Sequence, residues 1–248
     1  MSFRNFVDKL RLYFWFSKQE LFSFFWVVLA FGFVVSFNWW GEASFDWRQG
    51  LWGLLGGILL MAVTVFVHHA GQRLVGISMG FRVEQHLWWY GLVGSILFVF
   101  VSYGRVMFLA ASSTTISMLD KHRLGKFRHD INMSDLARVC AAGPIANVLF
   151  GGLIKTLSLF HLFPVELANT IFTANLVFAA WNLIPVPPLD GSKVMFFSRL
   201  TYAFLFGTIA GYAFLVYVLG VYSYVWALVC GIGTWIFALL VLESGWGG

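Results

Sequence analysis

Apolar residues occur along this chain in blocks about as long as a lipid bilayer is thick, separated by short polar segments. A helix needs roughly 20 apolar residues to cross the hydrocarbon core of a bilayer. The blocks that meet this length are 21–40, 51–72, 139–163, 167–186, 200–220 and 222–242. The pattern therefore predicts an all-α polytopic membrane protein with about six transmembrane helices.

A further apolar stretch, 87–111, is interrupted by glycines and contains Arg105. If the N-terminus is cytosolic and this stretch enters and leaves on the same side, thirteen basic residues are cytosolic and only Arg48 is outside. The cytosolic set is Arg4, Lys9, Arg11, Lys18, Arg73, Arg82, Lys121, Arg123, Lys126, Arg128, Arg138, Lys193 and Arg199. This asymmetry follows the positive-inside rule, whereas a spanning 87–111 would divide the charges almost evenly. We therefore expect a re-entrant element, which implies an internal cleft because irregular backbone at membrane depth must be covered by protein or water.

Composition agrees with a lipid environment, since 60% of the residues are hydrophobic and 11% are charged, against about a quarter charged in soluble domains. We expect one integral membrane domain over 1–248. It divides into an N-terminal anchor helix and outer loop (21–50), a core (51–200) and a C-terminal helical hairpin (201–248). The first apolar block lacks a small-x-small cleavage site, so it is interpreted as a retained anchor and not a signal peptide.

The most informative local sequence is Asn-Leu-Ile-Pro-Val-Pro-Pro-Leu-Asp-Gly at 182–191, which follows an apolar block. Prolines end a helix because they lack a backbone donor and clash with the preceding turn. Asp190 then stands at a broken helix end near a membrane face. A carboxylate there needs a partner or water, so it is either a functional residue or an ordinary cytosolic turn residue.

This run resembles, position by position, the N-x-x-P-x-P-P-L-D-G pattern of the site-2 protease family of intramembrane zinc metalloproteases. Ala-Gly-Pro-Ile-Ala-Asn at 142–147 is similar to the family's G-P-x-x-N. The resemblance covers about 51–200. It implies a membrane-embedded β-containing element at about 80–110. It also implies that the two histidines of an H-E-x-x-H helix and the aspartate bind zinc, and that the glutamate of that helix activates water.

The H-E-x-x-H position corresponds to Val-His-His-Ala-Gly-Gln at 67–72. His68 and Gln72 share one helical face, as two ligands of one metal must. The resemblance therefore assigns His68, Gln72 and Asp190 to the metal site and His69 to the catalytic glutamate position. Because a neutral amide is a poor zinc ligand and loss of a general base slows a reaction by a factor of about 100 to 10,000, we expect a vestigial site without peptidase activity. No cofactor is expected, with zinc only if the site is functional after all.

The resemblance also implies that Gly143, Pro144, Asn147 and Asn182 contact substrate or orient the aspartate. The leading hypothesis is a catalytically inactive relative that binds or regulates transmembrane segments of other membrane proteins. The alternatives are a divergent intramembrane metalloprotease and, more weakly, a channel or transporter.

Two further kinds of partner are predicted, one from a cluster of basic residues and one from the spacing of two glycines. The basic cluster of Lys121, Arg123, Lys126 and Arg128 is expected to attract anionic lipid headgroups, at roughly 1 kcal/mol per residue; no nucleic acid is expected. Gly53 and Gly57 are spaced for close helix contact, which leaves an oligomer open.

Overall fold

The computed structural model of the protein describes residues 3–41, 45–119 and 131–244. Most of these residues are helical. The elements in chain order are α1 (Phe3–Tyr13), α2 (Lys18–Ser36), α3 (Trp47–Met79), β1 (Phe81–Leu87), α4 (Trp89–Val101), β2 (Ser112–Met118), α5 (Met133–Leu159), α6 (Val165–Asn182), α7 (Asp190–Phe197), α8 (Arg199–Leu219) and α9 (Tyr224–Ser244).

Five helices are long and apolar enough to cross a membrane: α2, α3, α5, α8 over Arg199–Val216 and α9 over Tyr224–Leu242. This confirms a predominantly helical membrane protein. The sixth predicted block forms α6, but three asparagines in that helix lower its mean hydropathy, and it does not qualify as a span by composition. The buried Asn175 and Asn182 instead face the protein interior.

Helices α2 and α3 pack closely through glycines. A Cβ on Gly57 would lie 2.6 Å from the carbonyl oxygen of Gly32, and one on Gly53 would lie 2.9 Å from Trp39. The two glycines of the predicted contact motif are therefore used within the chain, against α2 and the residues that follow it. Gly56, between them, has no atom within 4 Å of its Cβ position.

The chain from the start of β1 to the end of β2 returns to the place where it starts. Strands β1 and β2 pair antiparallel from Phe81 opposite Met118 to Leu87 opposite Ser112, and the N–H of Trp88 donates to the carbonyl of Ala111 at 2.8 Å. Between them, α4 is followed by Gly104, whose carbonyl accepts a hydrogen bond from Asn38 at 3.1 Å. Since Asn38 follows α2, the tip of this excursion reaches the C-terminal end of α2. The structure thus contains a strand within 80–110, and its partner, β2, lies just beyond that range.

The proline run ends α6 at Asn182, as predicted, and α7 begins at Asp190. Helix α5 starts at Met133, earlier than the predicted 139, so Pro144 lies inside a helix and not at its start. One apolar core joins α2, α3 and α6 around Phe31, Met61 and Phe178. A second core joins α6 to the α8–α9 hairpin around Phe172 and Tyr212.

Candidate functional site

The predicted metal-site residues meet in the interior, although they come from two helices that are far apart in the sequence. His68 and Gln72 stand one turn apart on α3, and the first residue of α7, Asp190, lies against both. Nε2 of His68 lies 3.0 Å from Oδ2 of Asp190, and Nε2 of Gln72 donates to the same oxygen at 2.7 Å. All three side chains are buried, with 0 to 2% of their surface exposed.

Asn147 on α5 holds the imidazole of His68 in one orientation. The Nδ2 group of Asn147 donates to the backbone carbonyl of Thr64 at 2.9 Å and to Oδ1 of Asn175 at 2.8 Å. Its Oδ1 therefore accepts from Nδ1 of His68, 2.8 Å away. Nδ1 carries the proton of that hydrogen bond. The other ring nitrogen, Nε2, lies against Asp190. Asn147 thus contacts the histidine and not the aspartate.

Nε2 of His68 and Oδ2 of Asp190 are within hydrogen-bond distance of each other, at 3.0 Å. Burial raises the pKa of the Asp190 carboxyl, but the hydrogen bond from His68 and the charge of Lys193 outweigh it and hold that pKa below its ordinary value. Lys193 Nζ lies 3.9 Å from Oδ1 of Asp190 and also donates to the carbonyl of Thr114.

Both the amide nitrogen and the amide oxygen of Gln72 form hydrogen bonds within the protein. Its Nε2 donates to Asp190, and its Oε1 accepts from Nε2 of Gln85 on β1 and from Oγ1 of Thr114 on β2. Thr114 also lies 3.3 Å from Oε1 of Gln85. The amide therefore connects α3, the two-stranded sheet and α7 through neutral groups and one carboxylate.

These contacts do not fit a zinc ion. A zinc ligand must offer a lone pair to the metal, whereas Gln72 presents an N–H to the shared oxygen of Asp190 and its own oxygen already accepts two hydrogen bonds. In the part of the chain that the structure describes, no three His, Cys, Asp or Glu side chains are grouped so that they could hold a metal ion.

Gly143 permits the close contact between α5 and α3 at this point. A Cβ on Gly143 would lie 2.5 Å from Nε2 of His68, so any larger residue would displace the ring. The opposite edge of the imidazole meets Phe178, with ring centroids 5.1 Å apart. Pro144 is buried beside Gly143, and Cys140, one turn earlier on α5, interacts with Asp190.

His69 lies on the α2 side of this group, where its side chain also interacts with Gln72. Its ring is nearly perpendicular to that of His68, at 5.8 Å between centroids, and it faces Phe24 of α2 at 6.5 Å. Its Nδ1 is buried, with no hydrogen-bond partner among the described residues. His69 therefore lies between this group and α2.

One further predicted residue, Asn182 on α6, is placed differently. Asn182 donates to the carbonyls of Leu109 and Phe178, at 3.3 and 2.8 Å, and so holds the returning chain 102–111 against α6, without a hydrogen bond to Asp190. The basic cluster at 121–128 lies outside the described residues.

Sequence reasoning missed the residues that complete the site. Gln85, Thr114, Thr64 and Asn175 supply most of the hydrogen bonds around Gln72 and Asn147. Asn175 could have been found from the sequence, because it is an amide within an apolar block. The strand residues could not, since the alternation of apolar and polar residues in 80–118 is weak.

No family model, curated protein or solved structure matches the chain.

Proposed function

We propose that this protein is a site-2-protease-like membrane protein without peptidase activity, which binds transmembrane segments of other membrane proteins. In this proposal the N-terminus is cytosolic, α6 joins the five apolar helices as a sixth span, and 88–111 is a re-entrant element. The observation that carries the proposal is the hydrogen bonding of Gln72 at the position of the second metal ligand.

Loss of hydrolysis follows from that amide. A hydrolytic metal needs three ligands of histidine, cysteine or carboxylate type and an open position for water. Here His68 and Asp190 bind each other at 3.0 Å, and Gln72 closes the remaining side of the carboxylate oxygen at 2.7 Å. The catalytic-base position, His69, faces α2 instead.

The topology is supported by the geometry of 88–111 as well as by the charge asymmetry. Both ends of the segment meet at the contact between Trp88 and Ala111. A segment that leaves and returns at one place keeps β1 and β2 on the same side of the membrane. It also keeps the His68 end of α3 and the Asp190 end of α6 together.

In this proposal a client helix docks beside the returning chain. A cleft of about 250 Å³ lies between α2, α3, α6 and that chain. Its apolar walls include Val35, Leu60 and Met107, and α6 adds Thr170 and Thr173. An apolar wall with a few hydroxyl groups suits a transmembrane segment that carries small or polar residues.

Site-specific photo-crosslinking tests this assignment. A photoreactive residue at Thr173 is expected to crosslink co-expressed membrane proteins, whereas one at Val225 on α9, which is 70% exposed on the outer face of the hairpin, is expected to give only lipid adducts. Equal protein crosslinking from the two positions, or none from Thr173, would overturn the binding role.

The enzymatic alternative rests on the surviving contact between His68 and Asp190. Metal analysis of the purified protein distinguishes it, because a stoichiometric metal lost in His68→Ala would revive catalysis. We expect no bound metal in the natural chain. We expect zinc binding to appear in Gln72→His, which supplies a second imidazole on the same helical face.

A further inference from the structure

The first helix, α1, has an apolar and a basic side. At 100° per residue, Phe6, Val7, Leu10 and Phe14 fall on one arc, and they are half-buried. Arg4 and Arg11 border this arc on one side and Lys9 borders it on the other. Between 3 and 19 the chain carries four basic residues and one acidic residue, Asp8. This distribution is typical of helices that lie in a membrane interface.

The length of α3 places α1 at the level of the lipid headgroups. Thirty-three residues make α3 about 50 Å long, which exceeds the roughly 30 Å hydrocarbon core. Its first turns carry the exposed Trp47 and Trp52, as expected at one interface. Its last turns, around Arg73 and Leu74, therefore leave the hydrocarbon core on the other side, where α1 packs against them.

Arg73 fixes the turn between α1 and α2 at this level. The buried guanidinium donates to the carbonyls of Phe14 and Trp15 at 2.9 and 3.1 Å, lies over the ring of Phe16, and pairs with Glu20. Both charges of this pair are neutralised internally. Arg73 is thus not available to a ligand, and α1 is held in one position beside α3.

Between α1 and α3 the structure has an open concavity of about 370 Å³, lined by Leu10, Arg11, Phe14, Trp15 and Leu74. Four of the five lining residues are apolar, and the fifth is an exposed cation at the edge. Trp15 is 76% exposed. No ion pair involves Arg11 among the described residues.

We propose that this concavity binds an anionic phospholipid. The headgroup phosphate lies at Arg11, with Lys9 contributing to the attraction across the helix, and the upper part of an acyl chain lies against Phe14, Trp15 and Leu74. The occupant is a lipid because apolar walls and a cation without an ion pair lie together at headgroup depth. The site is distinct from the proposed client cleft and does not depend on it.

Native mass spectrometry of the full-length protein released from nanodiscs tests the proposal. The nanodiscs contain equal parts of phosphatidylglycerol and phosphatidylcholine. We expect the natural chain to retain phosphatidylglycerol preferentially. We expect Lys9→Gln with Arg11→Gln to reduce that preference by roughly tenfold to thirtyfold, given about 1 kcal/mol for each basic residue near an anionic surface. The matched control is Arg48→Gln, which removes an exposed charge at the opposite end of α3.

A second variant, Trp15→Ser, tests the acyl contact and keeps every charge. We expect it to shorten the retention of phosphatidylglycerol without making the two lipids equivalent. The proposal is overturned if the Lys9/Arg11 double variant keeps the preference of the natural chain, or if Arg48→Gln loses as much. Retention of a protein at α1 in place of lipid, lost in the double variant, would also overturn it and identify a protein-docking face. Thr173 crosslinking is expected to persist in the double variant, so the two proposals fail separately.

Discussion

Replacing Gln72 by leucine tests whether its amide holds the centre of the protein together. The change removes the charge-assisted donation to Asp190 at 2.7 Å, which is worth about 1.5–3 kcal/mol. It also leaves Nε2 of the buried Gln85 without its acceptor, which costs about 1–3 kcal/mol. Thr114 retains Gln85 as a partner. Leucine recovers part of the loss by burying apolar surface, so we expect a net destabilisation of about 3 kcal/mol.

Thermal unfolding of detergent-solubilised protein measures the effect. A loss of about 3 kcal/mol corresponds to a fall in Tm of roughly 6–12 °C for a chain of this size. Gln49→Leu is the matched control, because Gln49 is an exposed glutamine on the same helix and its substitution is expected to stay within about 0.5 kcal/mol. If the two variants unfold within about 1 °C of each other, the amide of Gln72 is not structural and the proposed replacement of the metal site is wrong.

Cys140 supplies a local measurement for the same variant. Its thiol is fully buried and interacts with Asp190, and Cys230 is the only other cysteine. In a Cys230→Ala background, maleimide should label Cys140 slowly in the natural site and faster in Gln72→Leu, because α7 loses a hydrogen bond to α3. A fall in Tm with unchanged labelling would place the destabilisation elsewhere in the fold.

Two further substitutions test the packing around the site and at the first turn. Gly143→Ala forces a Cβ to within 2.5 Å of His68, so we expect thermal unfolding to show a loss of stability of about 1–3 kcal/mol. The control is Gly56→Ala, which has open space around the new Cβ and should be neutral or slightly stabilising. Arg73→Met leaves the buried Glu20 without its ion-pair partner and should lower stability by about 3–5 kcal/mol. Adding Glu20→Leu should recover much of that loss. Equal instability of the single and double variants would contradict the ion-pair interpretation.

The contacts of the buried amides were only partly predictable from the sequence. Gln72 was predicted to lie at the metal position, facing Asp190, and that juxtaposition is present. Its other partners, Gln85 and Thr114, are brought there by strand pairing between 81–87 and 112–118. Asn182 was predicted to serve the site, but it binds the carbonyls of Leu109 and Phe178.

The sequence by itself determined the class of protein and the approximate positions of its long apolar helices, because a bilayer demands long uninterrupted apolar segments. The helical repeat also sets His68 and Gln72 on one face of α3. The sequence also set the end of α6, since prolines cannot continue a helix. Only the tertiary structure decided which polar groups satisfy one another and how α1 lies against α3. Those contacts join residues tens of positions apart, and buried hydrogen-bonding groups select partners by proximity in the folded chain.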